Sequence, residues 1–307
     1  MLKEFNSLSR MRLPQKTHTR QLPYVPQISQ SLQQPVADVP TRPAGPARLP
    51  LRPLEVGVGW HVGITRRGRP NEDSLVSVQG ICTYQGQLVP FALLVVADGM
   101  GGHECGLEAS RIAIQNMLHT VLQNIIIGNE LSDEFLSDML IGGVEWANLA
   151  IYRRAQEMET DMGTTLTAAL AVGMKAYIVN VGDSRTYQFR PGMGLRLITQ
   201  DHSLVARLAA AGEIAPDEIY THPERNIIYR CLGNDDAVEV DLFTTSLAEH
   251  DRLLLCSDGV WEMVRDPQIE RIMRHAERPE QASEMLVQAA LRGGGCDNVS
   301  VLVAQIP

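Results

Sequence analysis

The sequence predicts an α+β domain built in layers, preceded by a proline-rich arm that has no core of its own. Three observations predict it. Strand-like runs and helix-like stretches come in blocks, without the strict alternation of a doubly wound parallel sheet. The apolar runs are of strand length and are bounded by glycine-containing turns. Two long stretches with helical periodicity follow one another near the middle of the chain.

Taken in order, the first 53 residues hold nine of the seventeen prolines and show no apolar periodicity. They cannot bury enough surface to offset the entropy of ordering, so residues 1–53 are expected to be a disordered arm. Pro23-Tyr24-Val25-Pro26 and Pro43-Ala44-Gly45-Pro46 match a polyproline-ligand spacing that any proline-rich linker produces. The body, residues 54–307, starts with a strand over Gly57–Thr65 and a continuous apolar strand over Val89–Ala97, buried on both faces. Leu107, Ile114, Leu118, Val121 and Ile125 mark one amphipathic helix, and Leu136 through Met158 a second. Gly142 and Gly143 interrupt the second at a cost of about 1 kcal/mol each, which close packing against a neighbour would explain. Strands are expected at Thr164–Val172, Ala176–Val181 and Thr186–Arg190, then a polar, partly helical stretch over Ser203–Arg230. Strands at Val238–Thr244 and Arg252–Ser257, helices at Gln268–His275 and Glu280–Leu291, and a strand at Val299–Ala304 complete the chain.

Composition narrows the function. The net charge is −9, but residues 1–50 carry +5 and the remainder −14. An acidic body disfavours nucleic acid as a partner and suits a protein that gathers divalent cations. No window is long and apolar enough for a membrane helix, and the start lacks a signal-peptide core, so a cytoplasmic protein without a membrane partner is expected. Five scattered cysteines without a Cys-x-x-Cys pair argue against disulfides and zinc; they read as buried free thiols.

One pattern recurs. Apolar strands run out and deliver an aspartate followed by a small residue: Ala97 to Asp98-Gly99, Gly182 to Asp183-Ser184, Ser257 to Asp258-Gly259. Asp297-Asn298 and Glu72-Asp73 instead precede strands. Singly, each Asp-Gly is a turn or cap signal. Together, strand ends at one edge would bring carboxylates close enough to repel, and bound cations would offset that. Oxygen ligands suit magnesium or manganese, and two such cations can activate water for phosphoryl transfer.

The ordered series Asn71-Glu72-Asp73, Ala97-Asp98-Gly99-Met100-Gly101-Gly102-His103, Met162-Gly163-Thr164-Thr165, Val181-Gly182-Asp183-Ser184-Arg185, Thr199-Gln200-Asp201-His202-Ser203, Cys256-Ser257-Asp258-Gly259 and Gly294-Gly295-Cys296-Asp297-Asn298-Val299 resembles the type 2C metal-dependent serine/threonine protein phosphatases, above all their bacterial branch. The resemblance covers about Val56–Ile306. It implies a four-layer β-sandwich, two antiparallel sheets flanked by helix pairs. It also implies hydrolysis of phosphoserine and phosphothreonine on proteins by a water or hydroxide bridging two Mn2+ or Mg2+ ions, with a third, weaker metal site. By the same resemblance Asp98 bridges both metals and is central to catalysis, while the Gly99 carbonyl, Asp73, Asp183, Asp258 and Asp297 also bind metal. Glu72 and His202 act through water or by supporting ligands, and the segment His202–Arg230 is a mobile flap. Phosphorylated proteins, including serine/threonine kinases and their targets, are the implied partners of a monomeric enzyme.

Two positions depart from the pattern. Gly68 stands where relatives carry the phosphate-gripping arginine, with Arg69 one step nearer and Arg66 and Arg67 upstream. Arg69 is assigned the grip, against the alternative that these are solvated surface arginines. Met100 replaces a histidine that some relatives offer as general acid, leaving a metal-bound water or His202 for that role; His103 reads as an ordinary loop residue. Trp60, Trp146 and Trp261 read as core or edge packing, and Gly293-Gly294-Gly295 as backbone freedom for placing Asp297. Two other readings stay open: an inactive phosphoprotein-binding scaffold of the same fold, and a phosphoesterase for small molecules.

Overall fold

The structure, a computed structural model, describes residues 52–101, 104–127 and 131–307. All but the last two residues of the expected arm, and His103, lie outside the described residues.

Strand β1 (Glu55–His61) is followed by the hairpin β2 (Ser74–Tyr84) and β3 (Gln87–Ala97), and by the two-residue β4 (Gly99–Met100). Helices α1 (Glu104–Ile127) and α2 (Asp133–Met158) come next. The Ser132 side chain accepts the Phe135 N–H to start α2, and Asp133 and Glu134 in its first turn complement the helix dipole. Then come β5 (Gly163–Thr164), β6 (Leu166–Val172), β7 (Lys175–Val181), β8 (Arg185–Arg190) and β9 (Gly194–Leu197). The stretch expected to be polar and partly helical holds α3 (Leu204–Ala210) and a 3₁₀ turn at Pro216–Tyr220. Strands β10 (Asp241–Ser246) and β11 (Arg252–Cys256), helices α4 (Asp258–Trp261), α5 (Asp266–His275) and α6 (Pro279–Arg292), and strand β12 (Val299–Gln305) finish the fold.

Two five-stranded sheets, ordered β1-β12-β11-β8-β9 and β10-β7-β6-β3-β2, lie face to face. Every pairing within them is antiparallel. The alternation along β3 shows the layering. Leu93, Val95 and Ala97 join the core under α1 and α2, while Leu94 and Val96 meet Leu253, Leu255 and Leu302 of the other sheet. On the far side, Leu286 and Ala290 of α6 and Ile269 and Met273 of α5 pack on Leu254, Val301 and Val303. The layers run helices, sheet, sheet, helices, as the resemblance implied. Fully buried leucines such as Leu93, Leu94 and Leu254 each contribute about 1.5–3 kcal/mol, so a core of this extent holds the strand ends in fixed register.

Several expectations need correction. The first strand stops at His61 instead of Thr65, and β10 starts at Asp241 instead of Val238. The edge strand β9 and the full length of β2 carry too mixed a pattern to have been read as strands. Gly143 does pack against Met117 and Thr120 of α1, but Gly142 faces open space. Trp261 is buried at 2% exposure, whereas Trp60 on the edge strand and Trp146 on α2 are 56% and 62% exposed. All five cysteines are free, but only Cys82 and Cys256 are buried, and Cys296 is exposed. Gly294 and Gly295 both have positive φ, which agrees with the flexibility assigned to that run.

Candidate active site

Antiparallel register gathers the acidic residues at one end of the sandwich. Ala97 at the end of β3 pairs with Ser74 at the start of β2, so Asp98 and Asp73 leave the sheet side by side. Cys256 at the end of β11 pairs with Val301 of β12, which sets Asp258 near Asp297 and Asn298. Cys256 also pairs with Arg185 at the start of β8, which brings the Asp183 turn to the same end. A cavity of about 560 Å³ opens there, and Asp98, Gly99, Glu72, Asp183, Asp258 and Asp297 line it. Two predicted residues are off its wall. Asp73 is buried behind it, accepting a hydrogen bond from Ser257 Oγ at 2.8 Å, and His202 is buried in a separate network described below.

Small residues after the aspartates let backbones touch. A Cβ on Gly99 would lie 2.1 Å from the Gly106 carbonyl oxygen and 2.6 Å from that of Glu72; one on Gly259 would lie 1.9 Å from the Asn298 oxygen. The glycine of each Asp-Gly pair is therefore a packing requirement that sets how near neighbouring carboxylate-bearing loops can come.

Residues without charge hold the aspartates in place. The Asp98 carbonyl accepts from the Thr165 N–H at 2.9 Å and the Thr164 hydroxyl at 2.8 Å, and the Asp98 N–H donates to Thr165 Oγ1. Thr165 Oγ1 also lies 2.7 Å from Ser184 Oγ, tying the Asp98 loop to the Asp183 loop. Asn298 accepts the Glu72 N–H and donates to the Val62 carbonyl. These roles follow from contacts between distant segments. The only sequence signal was that Met162-Gly163-Thr164-Thr165 and Asp297-Asn298 stand in the ordered series.

Charge is concentrated and under-compensated. Burial together with the neighbouring carboxylates Asp73, Asp258, Asp297 and Asp183 holds the Asp98 carboxyl well above the usual carboxylate range. Burial and Asp183, Asp297 and Glu262 do the same to Asp258. Burial pushes Asp183 up to about 7 and Asp73 up to about 6. One oxygen of each of Glu72, Asp73, Asp183 and Asp258 is buried without a hydrogen-bond partner. The counter-charge is Arg66, whose guanidinium contacts Glu72 Oε2 at 2.9 Å and Asp297 at 2.9 and 3.0 Å. Arg69 also lines the cavity, and its side chain has no hydrogen-bond partner among the described residues. Arg225, Asn226 and Ile228 reach the cavity from the expected flap, where Arg225 pairs with Glu262 at 3.7 Å.

This donor set suits a hard divalent cation. It is all oxygen, it offers unpaired buried oxygens, and added positive charge would favour the anionic form of carboxyls that burial and mutual repulsion disfavour. Among the described residues no three Asp, Glu, His or Cys groups are arranged to hold a metal ion as they stand; the carboxylates line the cavity with Arg66 between Glu72 and Asp297.

The profile of the Protein phosphatase 2C family matches residues 63–292. The chain is 35% identical over 215 residues to the serine/threonine phosphatase stp of Listeria monocytogenes, a match covering 69% of this chain and 84% of that one. It superposes on the serine/threonine phosphatase Stp1 of Staphylococcus aureus with a TM-score of 0.71 and 35% identity, covering 83% of this chain and 95% of the other. The catalytic domain of the phosphatase PstP, crystallised with two manganese ions, aligns with a TM-score of 0.68 and 34% identity, over 83% of this chain and 99% of that domain. An antiparallel sandwich with acidic strand ends around one cavity, matched along most of its length, makes this chain a member of the protein phosphatase 2C family.

Proposed function

We propose that the chain is a metal-dependent protein serine/threonine phosphatase that hydrolyses phosphoserine and phosphothreonine on proteins. The observation that carries this reading is the cavity itself. Carboxylates from separate strand ends line it, and Glu72, Asp183 and Asp258 each keep a buried oxygen without a hydrogen-bond partner, beside Arg69, whose side chain has no partner among the described residues. Asp98, the Gly99 carbonyl, Asp258 and Asp297 would hold two Mn2+ or Mg2+ ions, with Glu72 on the wall beside them, Asp73 buried behind it and Asp183 toward a third, weaker ion. When bound, such ions activate water and neutralise the phosphoryl group.

The chain's own residues do the rest. Arg66 is committed to Glu72 and Asp297, which leaves Arg69 to grip phosphoryl oxygens with its planar fork. Thr164 and Thr165 keep Asp98 from shifting as charge develops. Arg225, Asn226 and Ile228 form the part of the wall that a peptide flanking the phosphate would touch. The proton for the leaving serine or threonine oxygen comes from solvent in the cavity, because His202 is not on its wall. The inactive-scaffold alternative predicts an eroded carboxylate set, whereas Asp98, Asp258 and Asp297 all line the cavity. No described helix is long and apolar enough to cross a membrane. A cytoplasmic monomer that dephosphorylates kinases and their targets is the reading we favour.

The test uses the full chain and a phosphothreonine peptide. Turnover should require Mn2+ or Mg2+, stop in excess chelator, and vanish in Asp258→Asn. Turnover that survives chelation would overturn the metal-dependent reading.

A further inference from the structure

His202 belongs to the motif Thr199-Gln200-Asp201-His202-Ser203 but takes no part in the cavity wall. It is 2% exposed, and both of its ring nitrogens are engaged. Nδ1 accepts the Gly182 N–H at 3.0 Å, and the His202 backbone N–H donates to the Gly182 carbonyl at 2.9 Å. Residue 202 thus grips residue 182 by two hydrogen bonds. Since Nδ1 is an acceptor, the ring proton sits on Nε2, where Asp241 Oδ2 receives it at 3.2 Å. Arg230, 3.0 Å from Nε2, turns its own proton to Asp241 Oδ1 at 2.8 Å. A ring with its lone pair and its proton both in use is neither a free base nor a free acid.

Gly182 immediately precedes Asp183 and has a φ of +101°, and a Cβ there would lie 2.6 Å from Thr165. Asp183 is 3% exposed, lines the cavity, and has a buried oxygen with no partner. Its carbonyl is gripped from the other side by Trp261 Nε1–H at 2.9 Å. Trp261 belongs to the same short helix α4 that begins with Asp258. The Arg185 guanidinium lies over the Trp261 ring at 3.7 Å and is bound by both oxygens of Asp201, the neighbour of His202. Residues 182–185, 201–202 and 261 form one bracket behind the cavity.

We infer that His202 is a positioning residue: through Gly182 it aims the Asp183 carboxylate at the cavity, and with Trp261 it fixes the spacing of Asp183 from Asp258. This rests on the proposed reading of Asp183 as a contributor to a weak cation site. Outer partners that orient ligating groups typically change metal affinity about 10- to 100-fold when removed.

Two substitutions separate positioning from acid catalysis. His202→Asn places an amide oxygen near the Nδ1 position and can still accept the Gly182 N–H, whereas His202→Gln reaches toward the Nε2 position and cannot. Mn2+ is titrated into chelator-stripped, full-length protein while free Mn2+ is followed by electron paramagnetic resonance. His202→Gln should weaken the weakest Mn2+ site about tenfold or more. His202→Asn should restore it to within about threefold of the unsubstituted protein, with kcat recovering at saturating Mn2+. Equal loss of kcat in both variants at saturating Mn2+, with unchanged binding, would make His202 part of the chemistry and overturn the inference. Unchanged Mn2+ binding in His202→Gln would overturn it too. If His202→Gln does not fold, Trp261→Phe removes the other grip while leaving a ring under Arg185. That variant must then show the same loss at the weak site, and normal binding would count against the bracket. Failure of the unsubstituted protein to bind Mn2+ or turn over would strike the proposed function itself, a distinct outcome.

Discussion

Replacing Gly259 by alanine tests whether backbone contact sets the geometry of the carboxylates. An added Cβ would sit 1.9 Å from the Asn298 carbonyl oxygen and 3.0 Å from its carbon, both backbone atoms. Separations under 3.0 Å do not persist, so the gap must open from 1.9 to at least 3.0 Å, a displacement of about 1.1 Å. Neither side yields easily: Asn298 is pinned by Glu72 and Val62, and Gly259 sits in the first turn of α4 against buried Val260 and Trp261. Overpacking of this kind costs about 1–3 kcal/mol, which for a domain of this size lowers Tm by about 2–12 °C. Because the shift falls between Asp258 and Asp297, turnover should drop about 100-fold, the usual result of a 1 Å misplacement. The assay is kcat on a phosphothreonine peptide at saturating Mn2+, beside a thermal melt. Gly142→Ala is the control: nothing lies within 4 Å of its added methyl, and its helical position should make it stabilising by about 0.5–1 kcal/mol. Full turnover and an unchanged melt in Gly259→Ala would refute the claim that this contact spaces the two aspartates.

The remaining predictions concern charge, substrate grip and packing. Carboxyls raised to about 6 at Asp73 and about 7 at Asp183 hold protons in the folded state that the unfolded chain has released, so their contribution is present at low pH and lost as pH rises through those values. Chelator-stripped protein should therefore melt lower at pH 8 than at pH 5.5, and Asp98→Asn, which removes one of the repelling charges, should raise the pH 8 melt more than the pH 5.5 melt while abolishing turnover. An Asp98→Asn protein less stable than its parent at pH 8 would contradict this. Arg69→Met should raise KM for a phosphothreonine peptide about 10- to 100-fold, the loss of one or two charge-assisted hydrogen bonds, and leave the melt unchanged; an unaltered KM would remove Arg69 from the phosphate. Gly57→Ala would place a methyl 2.1 Å from the Pro279 carbonyl oxygen and push α6 off β1, lowering the melt by several degrees (about 1–3 kcal/mol) with kcat largely kept.

How much of this was legible beforehand depends on the distance along the chain over which a signal acts. The strand ends at Asp98, Asp183 and Asp258 could be read because an apolar run stopping at an acidic residue is a local pattern. So could both long helices, through their 3.6-residue period. Strand β9 and the outer half of β2 could not, because edge strands bury only part of one face and lose their alternation. The three arginines at 66, 67 and 69 looked equivalent in a row. Only the fold separates Arg66 from Arg69, by carrying Asp297 across 231 positions to Arg66 and leaving Arg69 on the cavity wall without a side-chain partner among the described residues.

The sequence alone determined which groups are available: hard oxygen donors at the ends of apolar strands, in an order shared with the protein phosphatase 2C family. Tertiary structure decided which of them face the cavity. It set Asp73 behind Ser257, withdrew His202 into a network with Gly182 and Asp241, and placed Thr164, Thr165 and Asn298 as the clamps. The physical reason is register. Antiparallel pairing and backbone contacts between segments far apart in the chain fix positions to fractions of an ångström, and no local pattern of residue types encodes such distances.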